Sequence, residues 1–558
     1  MSEGGGHPTA PLSELAAAVR AAAATVRGRY RRDGAGSSDP IAPRLERPKR
    51  EGQGDYSTNA AMLLAPVLDT PPRVIAERLG SALEELLGDR LARTEVAGPG
   101  FLNLVLSDQW LRDALRSVLA AGEQLGGGGA DPAERVLIEF VSANPTGPLV
   151  AASGRHAAYG DSLARILAHH GHSVSREYYF NDAGGQIRLL GESVRARARG
   201  EDVPEGGYQG DYVIELAEQI PGAVDADPDE LAARAVAIML ERIKTTLERY
   251  GVHYDVFFSE RTLHEGNPSA VDRALALLEE ARHVYRSEGA TWLRTTSFGD
   301  DKDRVVLRSN GAPTYLAADI AYLQNKRERG FERQLLPVGS DHHAYVRELK
   351  AAMAALGADP DTLEVPLIQF VHLVEGGETF KMSKRRGDFV TLDDLLDEIG
   401  VDATRFFMLQ RSHDRTLDLD LGVAREQSSE NPVYYVQYAH ARIASMLGRL
   451  PADRVERALG QGAEWGGEVL HASERNLIKK LIALPDEIAE AAARRAPHRI
   501  AAYALELAQE FTAFYRDCRV VGATPEAVES FRVALSVAAQ RAIALSLSLL
   551  GVSAPTSM

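Results

Sequence analysis

The sequence predicts a multidomain protein: a small α+β domain, then an α/β domain built on a parallel sheet, then an all-α domain. Three observations support this fold class. The 558 residues are too many for one hydrophobic core. A strand–loop–helix–strand pattern occupies residues 136–180, which is typical of parallel sheets. Strand patterns disappear after about residue 425, where long amphipathic stretches begin.

The first predicted domain covers residues 1–125. A helical pattern is followed by a Gly/Ser/Asp-rich loop from Asp33 to Pro40, and alternating helix and strand patterns continue to residue 120. Gly98-Pro99-Gly100 precedes a short apolar strand from Phe101 to Leu106. The glycine run at 126–129 is typical of a linker.

The second predicted domain covers residues 130–424 and is Rossmann-like. A strand from Val136 to Val141, a Pro/Gly loop, a helix from Gly154 to His170 and a strand from Val174 to Phe180 form a βαβ unit. Two further strands are predicted, from Gln334 to Val338 and from Leu367 to Val374. Ligands of such sheets bind at the carboxyl ends of the strands.

The third predicted domain, residues 425–558, is helical. Amphipathic stretches from Asn476 to Ala493 and from Pro497 to Arg516 predict long helices. No apolar run is long enough to span a bilayer, so we expect no membrane partner. The first 30 residues lack a secretory signal pattern, which favours a cytoplasmic location.

Composition excludes few classes of function. A net charge of −16 argues against a surface coated in basic charge for non-specific nucleic-acid binding. A protein with this net charge can still have a local basic face. The single cysteine, Cys518, excludes an internal disulfide and a cysteine-rich zinc site.

The segment from Lys381 to Gly387 is the most specific motif. Lys381 and Lys384 lie three residues apart in a glycine-ended loop, from which both could reach a triphosphate and stabilise a departing pyrophosphate. The alternative is a solvated basic turn. The segment resembles the Lys-Met-Ser-Lys signature of class I aminoacyl-tRNA synthetases. That resemblance implies that both lysines are catalytic and that Met382 and Ser383 bind ATP.

A second motif runs from Glu139 to Leu149 at the end of the first strand. A carboxylate inside an apolar strand needs a partner, which is either a ligand or a cation of the protein itself. The segment closely resembles the start of the catalytic domain in arginyl-tRNA synthetases. The resemblance implies that Glu139, Ser142 and Asn144 bind arginine.

A third motif runs from Thr314 to Tyr322. Tyr315 and Asp319 are four residues apart and would share one face of a helix, where they could hold a guanidinium. The alternative is an Asp319 that faces water. The stretch resembles the arginine-recognition helix of the same family.

Gly339-Ser340-Asp341-His342-His343 follows an apolar strand. Its histidines could ligate zinc together with Asp341, but no third histidine or cysteine lies nearby at ligand spacing, so we expect no structural metal. The resemblance instead implies that Asp341 and His342 contact ATP.

The chain departs from the family after Pro148-Leu149. The family has His-x-Gly-His there, whereas this chain has Val150-Ala151-Ala152-Ser153-Gly154, without either histidine. The amides and the dipole at the start of the helix could still bind phosphate, with Ser153 as the N-cap. We expect this segment to contact ATP through Pro148, Ser153, Gly154 and His156. We expect Arg155, its one arginine, to be catalytic.

The terminal regions extend the resemblance over nearly the whole chain. Gly54 to Asn59 and Gly98 to Asn103 resemble the family's N-terminal domain, which implies that Asn103 contacts tRNA. Tyr434 to Arg442 resembles its anticodon-binding domain, which implies tRNA contacts by Tyr438 and Arg442.

Together these resemblances imply a monomeric arginine–tRNA ligase whose partners are tRNA(Arg), L-arginine and ATP with Mg²⁺. Because the signature histidines are missing, two alternatives stay open. One is a paralogue that passes arginine to another acceptor, and the other is a non-catalytic tRNA-binding or regulatory relative.

Overall fold

The computed structural model describes residues 10–30, 42–48, 52–379, 390–460 and 463–558. Along these ranges an α+β unit, a parallel-sheet unit and a helical unit follow one another, which confirms the predicted fold class. The predicted loop from Asp33 to Pro40 lies outside the described residues.

The N-terminal unit is an antiparallel sheet of order β1-β2-β4-β3 with helices packed against it. Its elements are α1 (Pro11–Tyr30), β1 (Leu45–Glu46), β2 (Tyr56–Thr58), α2 (Ala60–Leu68), α3 (Pro72–Leu87), β3 (Leu91–Ala97), β4 (Phe101–Leu106) and α4 (Asp108–Ala121). The turn before β4 requires glycine at Gly100, since φ is +143° there and a Cβ would lie 2.5 Å from Cβ of Pro72.

The central unit contains a five-stranded sheet of order β13-β11-β5-β6-β7 in which every pair is parallel. Its elements, in chain order, are β5 (Arg135–Glu139), α5 (Ser153–His170), β6 (Ser173–Phe180), α6 (Gly185–Ala198), α7 (Asp211–Gln219), α8 (Pro228–Arg249), β7 (Val256–Ser259), α9 (Arg261–His264), α10 (Ala270–Glu280), β8 (Val284–Ser287), β9 (Ala290–Leu293), β10 (Arg304–Leu307), α11 (Tyr315–Glu328), β11 (Arg333–Leu335), β12 (Val338–Gly339), α12 (His343–Ala355), β13 (Leu363–Glu364), β14 (Leu367–Ile368), β15 (Val371–Glu375), β16 (Glu378–Thr379), α13 (Leu392–Ile399), α14 (Val401–Leu409), β17 (Leu417–Asp420) and α15 (Leu421–Arg425). The predicted βαβ unit is β5-α5-β6.

Three predicted strands end earlier or divide. β5 stops at Glu139 because Val141 and Ser142 take positive φ values of 68° and 41°, which no strand accommodates. The strand predicted to end at Val338 divides at Pro337, which has no backbone N–H. The strand predicted from Leu367 divides after Ile368, and its second half pairs with β17 in another sheet.

Helices α6, α7 and α8 form an insertion between β6 and β7 with an apolar core of their own. A second insertion carries the antiparallel sheet of β8, β9 and β10. Both insertions leave the parallel sheet near its carboxyl edge, where ligands of this fold bind.

The C-terminal unit consists of helices over the part of it that the structure describes: α16 (Pro432–Leu447), α17 (Ala452–Leu459), α18 (Ala472–Leu481), α19 (Leu484–Ala493), α20 (His498–Asp517) and α21 (Glu526–Leu550). The helix predicted from Asn476 to Ala493 is divided, since Pro485 stands in the first turn of α19.

Helix α21 corrects one expectation. Its 25 residues are long and apolar enough to cross a membrane, although the sequence was expected to contain no such run. However, 72% of its most apolar stretch is buried within the protein, as expected for the core helix of a bundle.

Candidate active site

A cavity of about 570 Å³ opens at the carboxyl end of the parallel sheet, between β5, β12 and α11. Six residues predicted from separate motifs line it: Glu139, Ser142, His156, Asp319, Asp341 and His342. They come from four distant stretches of the chain, and the topology of the sheet brings them together.

Glu139 forms a buried ion pair inside this cavity. Its carboxylate is 7% exposed, and Oε2 accepts a hydrogen bond from Nζ of Lys326 at 2.5 Å. Oε1 accepts a second bond from the Ser142 hydroxyl at 3.1 Å. Glu139 therefore has a cation of the protein as its partner. None of the sequence motifs indicated Lys326, although it lies seven residues after Asp319 on α11, a spacing that places both residues on one helix face.

Asp319 is the second carboxylate of the cavity. It accepts a hydrogen bond from the Tyr345 hydroxyl on α12, a partner that the motifs did not indicate. Burial is the main cause that raises the pKa of Asp319 to about 7; the bond from Tyr345 opposes this rise, and the nearby charge of Glu139 adds to it. A cationic ligand would favour the ionised form of this group.

Aromatic side chains build the wall behind the two carboxylates. The rings of Tyr179 and Tyr322 lie 4.8 Å apart, and the Tyr322 hydroxyl donates to Glu177. Glu177 also pairs with the Arg329 guanidinium at 2.5 Å. These contacts fix α11 against β6 and so hold Asp319 and Lys326 in place.

Two residues predicted to bind arginine do not line the cavity. Tyr315 is the first residue of α11 and is 69% exposed. Asn144 is exposed, and its side-chain amide donates to Oε1 of Gln186 at 3.0 Å. Both lie on segments that border the cavity, so they could reach a ligand only by a local rearrangement.

The start of α5 differs from the prediction. Ser153 is the first helical residue, and the cap position belongs to Ala152, which has helical dihedrals and forms no side-chain cap bond. Ser153 is therefore not the N-cap. Gly154 is close-packed, since a Cβ there would lie 2.9 Å from Cδ1 of Leu392. Pro148 lines a neighbouring cavity between α7, α8 and α13.

Arg155 points away from the cavity. It is 1% exposed, and its guanidinium donates to the backbone carbonyls of Gln369, Phe370 and Ser412 at 2.9–3.4 Å. Burial lowers its pKa to about 10. Its neighbour His156 does line the cavity, and burial lowers the pKa of His156 to about 4, so this ring is neutral at pH 7.

Lys381, Met382, Ser383 and Lys384 lie outside the described residues. The chain that follows them is described and pairs with the segment that lacks the signature histidines. The Ala151 amide donates to the Val390 carbonyl at 2.9 Å, and the Leu392 amide donates to the Leu149 carbonyl at 2.8 Å. The chain from Val390 to Leu392 therefore lies directly beside the segment that leads into α5.

Asp341 and His342 are exposed at the mouth of the cavity, with Nε2 of His342 3.7 Å from Oδ2 of Asp341. In the ranges that the structure covers, no group of three or more His, Cys, Asp or Glu side chains could hold a metal ion. The two side chains are free to contact a polar ligand.

The residues predicted to contact tRNA differ in exposure. Asn103 lies within β4 and is buried, so its side chain presents little surface to a partner. Tyr438 is exposed on α16 and stacks on Tyr434 at 6.2 Å. The Arg442 guanidinium lies 4.6 Å from the ring centroid of Tyr515. This aromatic and cationic surface suits stacking with nucleotide bases.

Three family models match successive parts of the chain. They are the arginyl tRNA synthetase N terminal domain at residues 13–106, the catalytic domain of tRNA synthetases class I (R) at 217–442, and the DALR anticodon binding domain at 436–558.

Curated relatives match over nearly the full length. The arginine–tRNA ligase of Geobacillus thermodenitrificans is 44% identical over 92% of this chain and 94% of its own. That of Moorella thermoacetica is 45% identical over 98% of both chains. The solved arginyl-tRNA synthetase of Thermus thermophilus superposes with a TM-score of 0.74 at 25% identity, covering 98% of this chain and all of its own.

Proposed function

This chain belongs to the arginyl-tRNA synthetases, the arginine–tRNA ligases, and we propose that its reaction takes place in the cavity between β5 and α11. The observation that carries this assignment is the presence of two carboxylates, the buried Glu139 and the half-buried Asp319, in one cavity at the carboxyl end of a parallel sheet. A cavity of this charge suits a cationic side chain. Nothing in the relatives favours a non-tRNA acceptor or a non-catalytic role.

The reaction has two steps. The arginine carboxylate attacks the α-phosphorus of ATP, which enters as its magnesium complex, and pyrophosphate leaves. A terminal ribose hydroxyl of tRNA(Arg) then attacks the carbonyl of the arginyl-adenylate, and AMP leaves. Neither step needs a nucleophile from the enzyme, so the protein acts by alignment and by stabilising charge.

Asp319 is the residue that pairs with the guanidinium of arginine. A carboxylate and a guanidinium form two parallel hydrogen bonds, and the substrate restores the ionised state that burial disfavours in the empty cavity. Glu139 and Ser142 line the same cavity. Asn144 and Tyr315 border it, and we assign them to arginine only in a closed form of the site.

The phosphates of ATP lie between the start of α5 and the lysine loop. Support comes from the pairing of Leu149 to Ala151 with Val390 to Leu392, which joins the chain that follows the lysine motif to the segment that precedes α5. Lys381 and Lys384 stabilise the departing pyrophosphate, with Met382 and Ser383 beside them. His156, Asp341 and His342 contact the rest of the nucleotide, since they line the same cavity.

Arg155 has a structural role in this proposal. Its guanidinium binds three carbonyls of the segments around Gln369 and Ser412, so it joins α5 to the segments that precede β15 and β17 and does not contact phosphate. Ser153 and Gly154 supply backbone amides at the start of α5, where the helix dipole favours anions.

The three units divide the work on tRNA. Residues 1–125 form the tRNA-binding N-terminal domain, residues 130–424 the catalytic domain and residues 425–558 the anticodon-binding domain. The exposed Tyr438 and its neighbour Arg442 favour contact with unpaired bases. We further propose that the enzyme works as a monomer in the cytoplasm.

The test is incorporation of labelled amino acids into total tRNA. Arginine is expected to be charged, whereas citrulline, which has the same length and no charge, should be disfavoured by about 10⁴-fold because it leaves Asp319 unpaired. Pyrophosphate exchange is expected to require tRNA. Charging of citrulline as well as arginine would contradict the assignment of Asp319, and absence of arginine charging would contradict the function.

A further inference from the structure

Lys326 is the one lysine or arginine among the described residues that line the cavity. It is 2% exposed, and its ammonium lies 2.5 Å from Oε2 of Glu139 and 4.0 Å from the ring centroid of Tyr322. Lysine is rarely buried to this degree unless it is paired. The cavity thus contains a complete binding position for an ammonium, consisting of a carboxylate and an aromatic face, and the protein fills it.

The two carboxylates of the cavity are therefore unequal. The charge of Glu139 is balanced by Lys326, and its other oxygen accepts from Ser142. Asp319 accepts only a neutral donor, the Tyr345 hydroxyl, and within the described chain no cation lies at ion-pair distance from it. An incoming cationic side chain finds one unbalanced carboxylate.

Arginine and lysine use such a carboxylate differently. The planar guanidinium matches it with two parallel hydrogen bonds, whereas an ammonium is a compact, strongly hydrated point charge that needs several acceptors around it. The position that would satisfy an ammonium, beside Glu139 and Tyr322, is the one that Lys326 fills.

We propose that Lys326 determines specificity: its ammonium fills the cavity's ammonium position beside Glu139, so that a lysine substrate finds no partner there while arginine pairs with Asp319. This inference rests on the proposed function, because it assumes that the cavity binds the amino acid. It adds a repulsive and space-filling element to the attraction that Asp319 provides, which is how specific sites commonly reject a close competitor.

The test is the variant Lys326→Met, whose side chain ends one atom short of the ammonium, so that the charge is removed and the position beside Glu139 is vacated. Steady-state charging of tRNA is measured with arginine and with lysine, and the ratio of their kcat/KM values is compared with that of the wild type. The ratio is expected to move toward lysine by at least tenfold, as one charge-assisted hydrogen bond to the freed Glu139 would produce.

A second variant identifies the cause. The double variant Lys326→Met/Glu139→Gln lacks the carboxylate that Lys326→Met frees. After correction for the effect of Glu139→Gln measured alone, its arginine-to-lysine ratio of kcat/KM should return to within about threefold of wild type. The matched control is Lys350→Met, since Lys350 pairs with Asp361 at the surface on the neighbouring helix, and its ratio should not change.

Removing one partner of a buried ion pair can destabilise a protein, so folding is checked by thermal unfolding. Where Lys326→Met is unfolded, Lys326→Gln replaces it, because a neutral amide still donates to Glu139. A folded variant with an unchanged arginine-to-lysine ratio overturns the inference and leaves the proposed function intact. A wild-type protein that does not charge arginine overturns both.

Discussion

Replacing Asp319 by asparagine tests the centre of the proposed site. The change keeps the size of the side chain and its bond to Tyr345 but removes the charge that would pair with the guanidinium. A charge-assisted hydrogen bond contributes about 1.5–3 kcal/mol, which corresponds to a rise in the arginine KM of roughly 10- to 150-fold. The ATP KM should stay nearly constant, because in the proposed site Asp319 contacts the amino acid and not ATP.

The pH dependence of the same parameter gives an independent check. The pKa of Asp319 is raised to about 7 in the empty site, so the carboxyl is protonated below that pH and ionised above it. Arginine prefers the ionised form, and its KM should therefore be constant above pH 8 and rise by about tenfold on lowering the pH from 8 to 6. In Asp319→Asn this dependence should disappear.

Both measurements use aminoacylation at saturating ATP and tRNA, with Asp361→Asn as the control. Asp361 is exposed, and its carboxylate pairs with Lys350 at the surface. The Asp361→Asn enzyme should therefore have the arginine KM and the pH profile of the wild type. An Asp319→Asn enzyme with the wild-type arginine KM and the wild-type pH profile would refute the pairing and place the guanidinium elsewhere.

Three further predictions concern the nucleotide end of the site. Lys384→Ala should lower kcat for adenylate formation at least a hundredfold with little change in the ATP KM, since its charge is needed as pyrophosphate leaves; a changed KM with an intact kcat would contradict this. Arg155→Met should lower the free energy of unfolding by about 3–5 kcal/mol, because buried carbonyls lose a charged donor, as measured by urea denaturation. The double variant Val150→His/Ser153→His should change kcat by less than tenfold.

Controls for the first two are available on the chain. Lys350→Ala removes an exposed lysine far from phosphate and should leave kcat unchanged. Arg249→Met removes an arginine that pairs with Asp393 and Asp397 at the surface, and it should cost less than about 1 kcal/mol. If Arg155→Met lost no more stability than Arg249→Met and nevertheless had a much lower kcat, the structural role would be contradicted and Arg155 would act on the nucleotide.

The sequence predicted the fold class and six of the residues that line the cavity, because both follow from local sequence patterns. The βαβ pattern specifies a parallel sheet, and a parallel sheet directs its ligands to the strand ends, where Glu139 and His156 lie. What it could not predict depends on side chains that meet across the fold. The Lys326 partner of Glu139 lies 187 residues away in sequence, and no spacing rule connects them.

The direction in which a side chain points was harder to predict from the sequence than which segments of the chain lie close together. Arg155 stands next to the phosphate-binding segment in sequence, but helix geometry turns it about 100° from its neighbours, and it meets carbonyls of Gln369 and Ser412 instead. Ser153 looked like a cap because of its residue type, whereas the helix begins at Ser153 itself. Boundaries of this kind shift by one or two residues without any change in local propensity.

Without the two signature histidines, the active site has either lost much of its activity or compensates for their loss with other groups. Losing one preorganised donor typically costs about 2.7–4 kcal/mol, so losing two without compensation would cost several orders of magnitude in rate. The structure offers a source of compensation: the segment from Leu149 to Ala151 is hydrogen-bonded to Val390 and Leu392, directly after the lysine loop. The described chain therefore resumes after the lysine motif beside the start of α5, where we propose that Lys381 and Lys384 hold the phosphates.

On this argument the natural enzyme should turn over at an ordinary rate, roughly 1–1,000 per second. Histidines at positions 150 and 153 would enter a segment in which Val150 pairs with Thr391 and Gly154 packs against Leu392, and they should add nothing or reduce activity by crowding. Arginine charging by the wild type and the double variant is compared at saturating tRNA. A gain of a hundredfold or more in the double variant would show that the two histidines were lost without replacement, and a tRNA-binding or regulatory role would then become the better explanation.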